Sequence, residues 1–376
     1  MRIAVNTRLL QKDKLDGIGV FTCETLKRIT WAHPEHEFTF LFDRPFDPDF
    51  IFNHNVRGIV VGPQARHPFL FYLWFEWRLP KVLKELQVDA FLSPDGYLSL
   101  RTDVPSLAVM HDLNFEHADF GMPRLIRWYY RYFFPRFARK AKRIVTVSQF
   151  SRQDIATRYK IPEKDIEVVY NAAGEEFKPI PYTEKVELRH KYFQGATYFL
   201  FVGTLHERKN IAQLMRAFDL FKKEHPSPMK LVLAGNKMWW TDAMEACFQN
   251  MEHRDDVVFT GRLPQKKLVE IMQAATALTY VPHFEGFGIP LVEAMACGVP
   301  IIASNTSSLP EVAGDAAILV DPNDIVAIKD AMLAMSNEIT RQAYIEKAKT
   351  RSAAFSWDRS AALLWENLLK ITSWTE

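Results

Sequence analysis

The segment ALTYVPHFEGFGIPLVEAMACGVPIIAS, residues 277–304, predicts a strand, a glycine-rich turn, a short helix and a second strand. The apolar run at 277–282 holds aromatic and β-branched residues, which are typical of a buried strand. Pro290 suits the first residue of a helix, and Gly298 and Pro300 are residues that end one. A helix between two apolar strands indicates a βαβ unit, and therefore a parallel sheet.

The same alternation of short apolar runs and longer helical patterns continues along the chain. The first half predicts strands at 2–6, 37–42, 58–62, 90–94, 106–111, 143–148 and 166–171. The second half predicts strands at 197–203, 230–235, 256–261, 277–282, 300–304 and 316–321. We therefore expect an α/β protein with two Rossmann-like halves. Ligands should bind beyond the carboxyl ends of the strands, first of all in the cleft between the two sheets.

A chain of 376 residues is long for one hydrophobic core, which favours two domains. The segment GEEFKPIPYTEK, residues 174–185, interrupts the pattern with two prolines and mixed charge, as linkers do. We predict an N-terminal domain over residues 1–175 and a C-terminal domain over residues 176–355. Residues 356–376 are predicted to form a separate C-terminal helix.

Composition excludes some classes of protein. The formal net charge of +2 does not favour a nucleic-acid-binding protein. The three scattered cysteines give neither a metal-binding spacing nor a disulfide framework, which favours a reducing compartment. The chain opens on a strand pattern without a signal region, and no apolar run approaches the roughly 18 residues of a membrane span. We therefore expect a cytoplasmic protein.

Two glutamates flank the glycine-rich turn of the opening segment. Glu285 lies in the predicted loop and Glu293 in the first turn of the predicted helix. The helix N-terminus at Gly288 and Ile289 presents free N–H groups and a positive dipole end, which suit an anion. Carboxylates accept hydrogen bonds from paired hydroxyls, so a sugar is a suitable partner. The alternative is that Glu293 only complements the helix dipole and Glu285 is a solvated loop residue.

A second candidate site lies in FVGTLHERKN, residues 201–210. Arg208 and Lys209 stand just before a helix for which Asn210 is the predicted N-cap. Two cations beside a helix N-terminus suit a diphosphate, because Arg can hold two oxygens at once. The alternative is a solvated basic turn. Neither a Walker-type loop nor a GxGxxG motif is present, so the usual ATP and NAD loops are absent from the sequence.

The first half offers two weaker candidates. Gly17 and Gly19, in the turn DGIGVFT at 16–22, would let a phosphate or sugar approach the backbone. His111 ends the predicted strand at 106–111 on the side where ligands should bind. A structural role for His111 is equally compatible with the sequence.

Together these segments resemble the GT4 family of retaining, nucleotide-sugar-dependent glycosyltransferases, which have the GT-B fold of two Rossmann-like domains facing across a cleft. The E-x7-E pair formed by Glu285 and Glu293 is the most specific part of the resemblance. The resemblance covers nearly the whole chain, in GIGVFT, VMHDL, IVTVSQFS, VVYNAAGEEF, FVGTLHERKN and EGFGIPLVEAMACGVPIIASNTSSLPEVAGDAAILVDPND.

The resemblance implies roles for individual residues of the donor site. Glu293 would hold the nucleotide ribose, and Glu285 would face the donor sugar. Arg208 and Lys209 would neutralise the diphosphate. Backbone groups near the base would come from Arg262 and Leu263.

In the N-terminal domain, the resemblance implies that Gly19 approaches the diphosphate and that His111 lies by the transferred sugar. Val20 stands where many relatives carry Arg after GIG, and this departure weakens the expectation of anion contacts from this loop. The segment FSWDRSAALLWENLLKI, residues 355–371, is similar to the final helix of the family, which returns to the N-terminal domain.

We therefore expect a retaining hexosyltransferase that uses a GDP- or UDP-sugar, with GDP-mannose favoured. The acceptor would be a glycan or a lipid-linked molecule of surface polysaccharide or lipopolysaccharide assembly. We expect no cofactor and no metal, since the one Asp-x-Asp, at 47–49, lies in a proline-containing turn. The alternatives are a sugar-nucleotide epimerase of the same fold and an inactive nucleotide-sugar-binding protein.

The segment MPRLIRWYYRYFFPRFARKAKR, residues 122–143, combines eight Lys or Arg residues with seven aromatic residues and has no acidic residue. Arg124, Arg127 and Arg131 fall on one helical face, before Pro135 bends or ends the helix. This pattern predicts peripheral membrane contact, to which the aromatic run at 67–77 could add. The alternative is that the aromatic residues fill the core.

Overall fold

A computed structural model describes residues 1–117 and 121–372. The chain divides into two compact units. The N-terminal unit comprises Met1–Asn171 and Ser356–Glu376, and the C-terminal unit comprises Ala172–Phe355. The predicted boundaries were 175/176 and 355/356.

The described part of the N-terminal unit holds a seven-stranded sheet in which every pair of neighbours is parallel. Its strands are β1 (Arg2–Asn6), β2 (Glu37–Phe42), β3 (Val56–Val60), β4 (Ala90–Ser93), β5 (Ser106–Val109), β6 (Arg143–Thr146) and β7 (Ile166–Val168). Its helices are α1 (Gly17–Ala32), α2 (Pro68–Leu73), α3 (Leu79–Glu85), α4 (Asn114–His117), α5 (Arg124–Lys140), α6 (Gln149–Tyr159) and α15 (Trp357–Leu369).

The C-terminal unit holds a six-stranded parallel sheet. Its strands are β8 (Tyr198–Val202), β9 (Lys230–Ala234), β10 (Val257–Phe259), β11 (Ala277–Tyr280), β12 (Ile301–Ser304) and β13 (Ala317–Val320). Its helices are α7 (Tyr182–Phe193), α8 (Ile211–Glu224), α9 (Asp242–Gln249), α10 (Gln265–Ala274), α11 (Ile289–Ala296), α12 (Leu309–Ala313), α13 (Ile325–Ser336) and α14 (Glu338–Ser352).

The strand order shows where each sheet can bind a ligand. The orders are β3-β2-β1-β4-β5-β6-β7 and β10-β9-β8-β11-β12-β13. In each sheet the direction of strand addition reverses once, between β1 and β4 and between β8 and β11. Loops diverge at such a switch point and leave a crevice beyond the carboxyl ends of the strands. The prediction of two Rossmann-like sheets is confirmed, and all thirteen predicted strands are present.

Burial explains why these segments form strands. Every residue of β8, β11 and β12 is buried, as expected of parallel strands covered on both faces. Most strands end before the glycine, proline or polar residues that we had included at their carboxyl ends. Those residues form the turns in which the candidate site residues lie.

The C-terminal helix packs within the N-terminal unit. On α15, Asp358 accepts a hydrogen bond from Arg28 Nε of α1 at 2.6 Å. The Trp365 ring stacks on His33 with a centroid distance of 4.0 Å. Helices α1 and α15 are therefore held together by an ion pair and by aromatic packing.

Helix α5 runs without interruption from Arg124 to Lys140, so the prediction that Pro135 could end it is wrong. A proline inside a helix removes one backbone hydrogen bond. Phe133, Phe134 and Phe137 are buried on both sides of it, and this packing holds the helix together. Among the residues that the structure describes, no helix is both long enough and apolar enough to cross a membrane.

Candidate active site

The switch point of the C-terminal sheet brings two loops together, one after β8 and one after β11. The loop after β8 begins at Gly203, which has a φ of 141°. A Cβ on Gly235, just after β9, would lie 1.8 Å from the Gly203 carbonyl oxygen. Glycine at 235 therefore lets the ends of β8 and β9 approach each other closely enough to form this edge of the site.

Arg208 and Lys209 lie in a single 3₁₀ turn, Glu207–Lys209, that directly precedes α8. His206 Nδ1 accepts a hydrogen bond from the Arg208 backbone N–H at 3.1 Å and so caps this turn. The turn points two adjacent cations into one region, and their side chains are mostly buried. The alternative of a solvated basic turn is therefore wrong.

Asn210 precedes α8 as predicted, but its side chain does not cap the helix. Its backbone is left-handed, with φ 61°, and its Nδ2 donates to Val281 O at 3.0 Å and to Pro322 O at 2.7 Å. Asn210 is thus bound to the loop after β11. It fixes the position of the turn Glu207–Lys209, which we call the cation turn, relative to that loop.

Glu285 is bound by both cations. Arg208 Nη1 lies 2.8 Å from Glu285 Oε1, and Lys209 Nζ contacts the same oxygen. Burial acts to raise the pKa of the Glu285 carboxyl, but Arg208 and Lys209 outweigh it and the pKa is lowered. Glu285 is 8% exposed, so the alternative of a solvated loop residue is wrong.

Tyr280 is a site residue that sequence reasoning missed. It is the last residue of β11 and is fully buried, with its ring stacked on Phe201 at a centroid distance of 5.7 Å. Its hydroxyl lies 2.5 Å from Lys209 Nζ and also bonds to Glu285. In the sequence, Tyr280 looks like one more apolar residue of a buried strand. Its position at the end of the strand does not distinguish it from a core residue, so the sequence offered no signal for its role.

Helix α11 begins at Ile289, with Gly288 as its N-cap at φ 93°. A Cβ on Gly288 would lie 2.6 Å from Leu309 Cδ2, so both the backbone angle and the packing require glycine. Pro290 is the second helical residue and not the first as predicted. The helix ends at Ala296 before Gly298, as predicted.

Glu293 is the fifth residue of α11, so the prediction that it lies in the first helical turn is wrong. Because the helix dipole acts mainly on the terminal turn, complementing it does not explain this carboxylate. Within residues 1–117 and 121–372, no hydrogen-bond donor or cation is bound to it. Burial raises the pKa of Glu293 to about 8, and the nearby Glu176 carboxylate adds to the effect. Glu293 is therefore a carboxyl whose hydrogen-bonding capacity is open to a ligand.

Arg262 and Leu263 lie in the turn between β10 and α10, where Arg262 is exposed. At the start of α10, Gln265 Nε2 donates to Glu176 Oε1 at 3.0 Å. Because Glu176 also acts on Glu293, this turn lies on the side of the sheet where Glu293 is found. The C-terminal unit thus collects the cations, the glutamate pair and the Arg262 turn at one edge.

Gly19 and His111 belong to the N-terminal unit. The Gly19 N–H donates to Asp16 Oδ1 at 2.9 Å, and a Cβ on Gly19 would lie 3.0 Å from Leu15 Cδ2. His111 Nε2 lies 2.8 Å from Pro94 O, and since a carbonyl only accepts, Nε2 carries the proton. Burial lowers the pKa of His111, so the ring is neutral and Nδ1 is an acceptor.

A buried ion pair that sequence reasoning missed lies at the switch point of the N-terminal sheet. Arg8 follows β1 and Asp95 follows β4, and Arg8 Nη2 lies 2.6 Å from Asp95 Oδ2. Asn6 Nδ2 donates to Asp95 Oδ1 at 2.7 Å. The Arg8 guanidinium also lies 4.8 Å from the centre of the Phe75 ring. These contacts fix the two loops on either side of the switch point.

The Asp-x-Asp turn has a structural role. Lys12 Nζ lies 2.9 Å from Asp47 and 2.8 Å from Asp49, and Asp47 caps the short helix that begins at Pro48. In the described parts of the chain, no group of three or more His, Cys, Asp or Glu residues is placed to hold a metal ion.

Two family models match this chain over most of its length. Glycosyltransferase family 4 matches residues 16–176, and glycosyl transferases group 1 matches residues 185–351. The O-antigen chain mannosyltransferase B of Escherichia coli is 28% identical over 361 residues, which cover 92% of this chain and 94% of that protein. The serotype-specific mannosyltransferase WbdA of Escherichia coli is 29% identical over 242 residues. That match covers 62% of this chain but only 29% of WbdA, which is much longer.

Solved structures of glycosyltransferases share the fold of this chain. WaaG, a glycosyltransferase involved in lipopolysaccharide biosynthesis, aligns with a TM-score of 0.76 at 16% identity, over 97% of this chain and 99% of that one. Anabaena HepE, solved in complex with UDP-glucose, aligns with a TM-score of 0.75 at 15% identity, over 98% of this chain and all of that one. The two named relatives are transferases, which favours transfer over the epimerase and inactive alternatives. The chain belongs to the GT4 family of glycosyltransferases, and it is a hexosyltransferase with the GT-B fold.

Proposed function

We propose that this enzyme transfers mannose, with retention of anomeric configuration, from a nucleoside diphosphate sugar to a glycan or lipid-linked acceptor. The observation that carries the proposal is the pair of cations, Arg208 and Lys209, held by Glu285 beside the N-terminus of α11. The similarity to mannosyltransferase B over nearly the full length of both chains supports mannose. GDP-mannose is the favoured donor, ahead of UDP-linked hexoses.

The donor would occupy the switch point of the C-terminal sheet. Its diphosphate would contact Arg208, Lys209 and the N–H groups that begin α11 at Gly288 and Ile289. Its ribose hydroxyls would donate to the Glu293 carboxylate, which has no bound partner among the described residues. The base would lie against the turn that holds Arg262 and Leu263. This arrangement would give the Glu293 carboxylate a partner in the ribose and would place the diphosphate beside both cations.

The chemistry would rest on stabilising the leaving group. The bond between the sugar C1 and the diphosphate oxygen breaks, and negative charge grows on the diphosphate next to Arg208 and Lys209. The acceptor hydroxyl bonds to C1 on the same face, and its proton passes to a diphosphate oxygen. Glu285 acts as a positioning residue, because it holds both cations in place before the donor arrives.

Gly19 and His111 are proposed to act on the donor from the N-terminal unit. With Nε2 bound to Pro94 O, the neutral His111 ring offers Nδ1 as an acceptor for a sugar hydroxyl. The Gly19 N–H is already bound to Asp16, so its contribution would be close backbone approach and not a hydrogen bond.

The enzyme is proposed to work without a metal ion, since two cations already meet the diphosphate. Purified protein should hydrolyse GDP-mannose slowly, and should transfer its sugar when an acceptor is supplied. A panel of GDP- and UDP-sugars, assayed with EDTA and then with Mn²⁺, tests donor and metal together. Formation of an epimerised sugar nucleotide, or activity that EDTA abolishes and Mn²⁺ restores, would contradict the proposal.

The exposed face of α5 is proposed to contact the membrane on its cytoplasmic side. Trp128 is 58% exposed and Tyr132 is 42% exposed, and their rings stack at a centroid distance of 5.4 Å. The Arg136 guanidinium lies 3.6 Å from the centre of the Tyr132 ring, and Arg124 is exposed at the start of the helix. Aromatic rings beside arginines suit the interface of an anionic membrane. We call Arg124, Trp128, Tyr132 and Arg136 the outer face of α5.

The structure divides the aromatic residues of this segment between core and surface. Tyr129, Phe133, Phe134 and Phe137 fill the core, so the core alternative holds for these four. Two of the three arginines that were predicted to contact the membrane form hydrogen bonds within the protein. Arg131 Nε donates to Glu116 at 2.9 Å, and Arg127 Nε donates to Phe115 O at 3.2 Å. In the run at 67–77, Phe69 and Trp77 are exposed, whereas Trp74 and Phe75 are buried.

A further inference from the structure

The loop between β9 and α9 exposes two large apolar side chains at the ligand-binding edge of the C-terminal sheet. Met238 is 72% exposed and Trp239 is 42% exposed. The loop is nevertheless anchored, because Lys237 Nζ lies 3.6 Å from the centre of the Phe259 ring and 4.7 Å from that of Trp240. The anchored loop therefore holds an exposed indole in a fixed place, where a planar ligand could cover it.

Trp239 lies next to the cation turn. Its ring centroid is 5.6 Å from that of His206, the residue whose Nδ1 caps the turn of Arg208 and Lys209. Strand β9 stands between β8 and β10 in the sheet. The Trp239 loop is therefore flanked by the cation turn on one side and by the Arg262 turn on the other. A molecule that extends from the cations toward β10 would lie beside the loop that carries this indole.

The position of the Glu293 carboxyl indicates the direction in which a bound nucleotide would extend from the cations. The Glu293 carboxyl lies close to Glu176, whose carboxylate accepts from Gln265 at the start of α10, just after the Arg262 turn. A ribose on Glu293 therefore places the nucleoside on the β10 side of the cations. The sugar side of the diphosphate is left to the Glu285 loop after β11. Trp239 offers an exposed aromatic ring on the nucleoside side of the cations. The planar part of the donor, its base, would lie on the same side and could stack on this ring.

We propose that Trp239 stacks on the base of the donor nucleotide and so contributes to the choice between purine and pyrimidine donors. The inference rests on the proposed use of a nucleoside diphosphate sugar. Aromatic stacking on a base corresponds to about tenfold to a hundredfold in affinity when the ring is removed. The larger face of guanine should gain more from the indole than that of uracil, which agrees with GDP-mannose as the favoured donor.

The test measures the binding of GDP and UDP to the full chain by calorimetry, for the wild type and for Trp239→Ala and Trp239→Phe. We expect Trp239→Ala to weaken GDP binding about tenfold or more, with a smaller loss for UDP, and Trp239→Phe to keep most of the affinity. Trp31→Ala is the matched control, since Trp31 is 62% exposed in the other unit and should leave binding unchanged. GDP should also quench tryptophan fluorescence in the wild type, and this quenching should be lost in Trp239→Phe.

A ligand without a base separates stacking from damage to the cation turn. Inorganic pyrophosphate should compete with GDP for the wild type and for Trp239→Ala with the same inhibition constant. If pyrophosphate binding falls as much as GDP binding, Trp239 acts through His206 on the cations and the stacking proposal is wrong. Equal GDP affinity in the wild type and Trp239→Ala would also overturn it, while leaving the proposed function intact. A wild type that binds neither GDP nor UDP would overturn the proposed function, and the stacking role with it.

Discussion

Arg208 Nη1 lies 2.8 Å from Glu285 Oε1, so the cation expected to meet the donor diphosphate is already paired with one member of the glutamate pair. Arg208 and Lys209 carry two positive charges, and the ionised Glu285 leaves a net charge of one at the turn. A diphosphate can still bind, and the carboxylate keeps both side chains in place before it arrives. This relationship distinguishes Glu285, which is bound by cations, from Glu293, which has a raised pKa and an open carboxyl.

Glu285→Gln should therefore lower turnover without weakening the binding of a free nucleoside diphosphate. The amide removes one charge-assisted contact to each cation, and such contacts contribute about 1.5–3 kcal/mol, or roughly tenfold to a hundredfold in rate. Loss of the negative charge leaves a more positive turn, so nucleotide affinity should stay the same or rise. Steady-state kinetics and calorimetry with GDP measure the two effects separately.

Glu270→Gln is the matched control, since Glu270 forms an exposed ion pair with Lys191 at 2.8 Å in the same unit. It should change neither quantity, because exposed ion pairs contribute little. A Glu285→Gln enzyme with normal turnover but weak GDP binding would reverse the roles assigned to Glu285 and Glu293.

Arg208→Ala and Lys209→Ala should each reduce turnover about tenfold to a hundredfold. The charge on the leaving diphosphate is greater in the transition state than in the bound donor, so the effect on turnover should exceed the effect on donor affinity. Single-turnover and binding measurements on each variant test this order, with Lys191→Ala as a control on the exposed surface. Turnover within a factor of about three of the wild type in both variants would contradict a role in leaving-group stabilisation.

Nucleoside diphosphate binding should strengthen as pH rises toward about 8. Glu293 is protonated below this pH in the free enzyme, because burial and Glu176 raise its pKa. Ribose hydroxyls donate to the ionised carboxylate, so binding favours loss of the proton, and affinity should rise up to about tenfold per pH unit below the pKa. Calorimetry with GDP across this range gives the slope.

Glu293→Gln serves as the control for titration of the nucleotide itself. This variant should bind GDP more weakly than the wild type, and its affinity should not rise with pH in this way.

The raised pKa of Glu293 acts on stability in the opposite direction from its effect on binding. A carboxyl whose pKa is raised by folding holds its proton more tightly when folded, so the free energy of unfolding falls as pH rises from about 4.5 through 8. The ligand-free variant should therefore melt at a higher temperature than the wild type above pH 8. A lower melting temperature there would contradict the raised pKa.

Tyr280→Phe should lower turnover about tenfold, since it deletes a hydroxyl that bonds to Lys209 and Glu285 but keeps the ring on Phe201. The Tyr280 hydroxyl helps to lower the pKa of Glu285, so its loss should move the acid limb of the activity profile to higher pH. Tyr198→Phe is the matched control, because Tyr198 is equally buried and its hydroxyl donates to Ile271 O at 2.6 Å. Equal losses of activity in both variants would reduce Tyr280 to a packing residue.

Site residues in the loops after strands could be predicted from the sequence, whereas a site residue inside a strand could not. Parallel strands show as apolar runs, and their carboxyl ends locate ligand-binding loops, so Arg208, Lys209 and Glu285 could be found from position alone. Tyr280 could not, because a buried tyrosine at a strand end has the same pattern as a core residue. The pairing of Glu285 with both cations depends on neighbouring strands that are distant in sequence, and β8 and β11 meet only in the folded sheet.

Helix α5 shows the same limit in another form. Its composition of aromatic and basic residues was compatible with a core helix and with an interfacial one. The side of the helix that faces the sheet decides between them, and only the fold sets that side. Tyr129, Phe133, Phe134 and Phe137 face the core, and Trp128 and Tyr132 face solvent.

The outer face of α5 should bind anionic vesicles, and binding should strengthen as the anionic lipid content rises. Binding should weaken at higher salt, because salt screens the charges of the arginines. The combined variant Arg124→Glu, Arg136→Glu should abolish binding, and Trp128→Ala should weaken it at every salt concentration, since the indole acts by burial at the interface. Arg127 and Arg131 are unsuitable for this test, because they bind Phe115 O and Glu116 within the fold.

The matched control is the double variant Lys27→Glu, Lys164→Glu, which makes the same charge change on exposed residues of α1 and of the turn before β7. If the two charge-reversed proteins lose vesicle binding equally, net charge and not the outer face of α5 governs it. A wild-type protein that does not sediment with anionic vesicles at low salt would contradict membrane contact altogether.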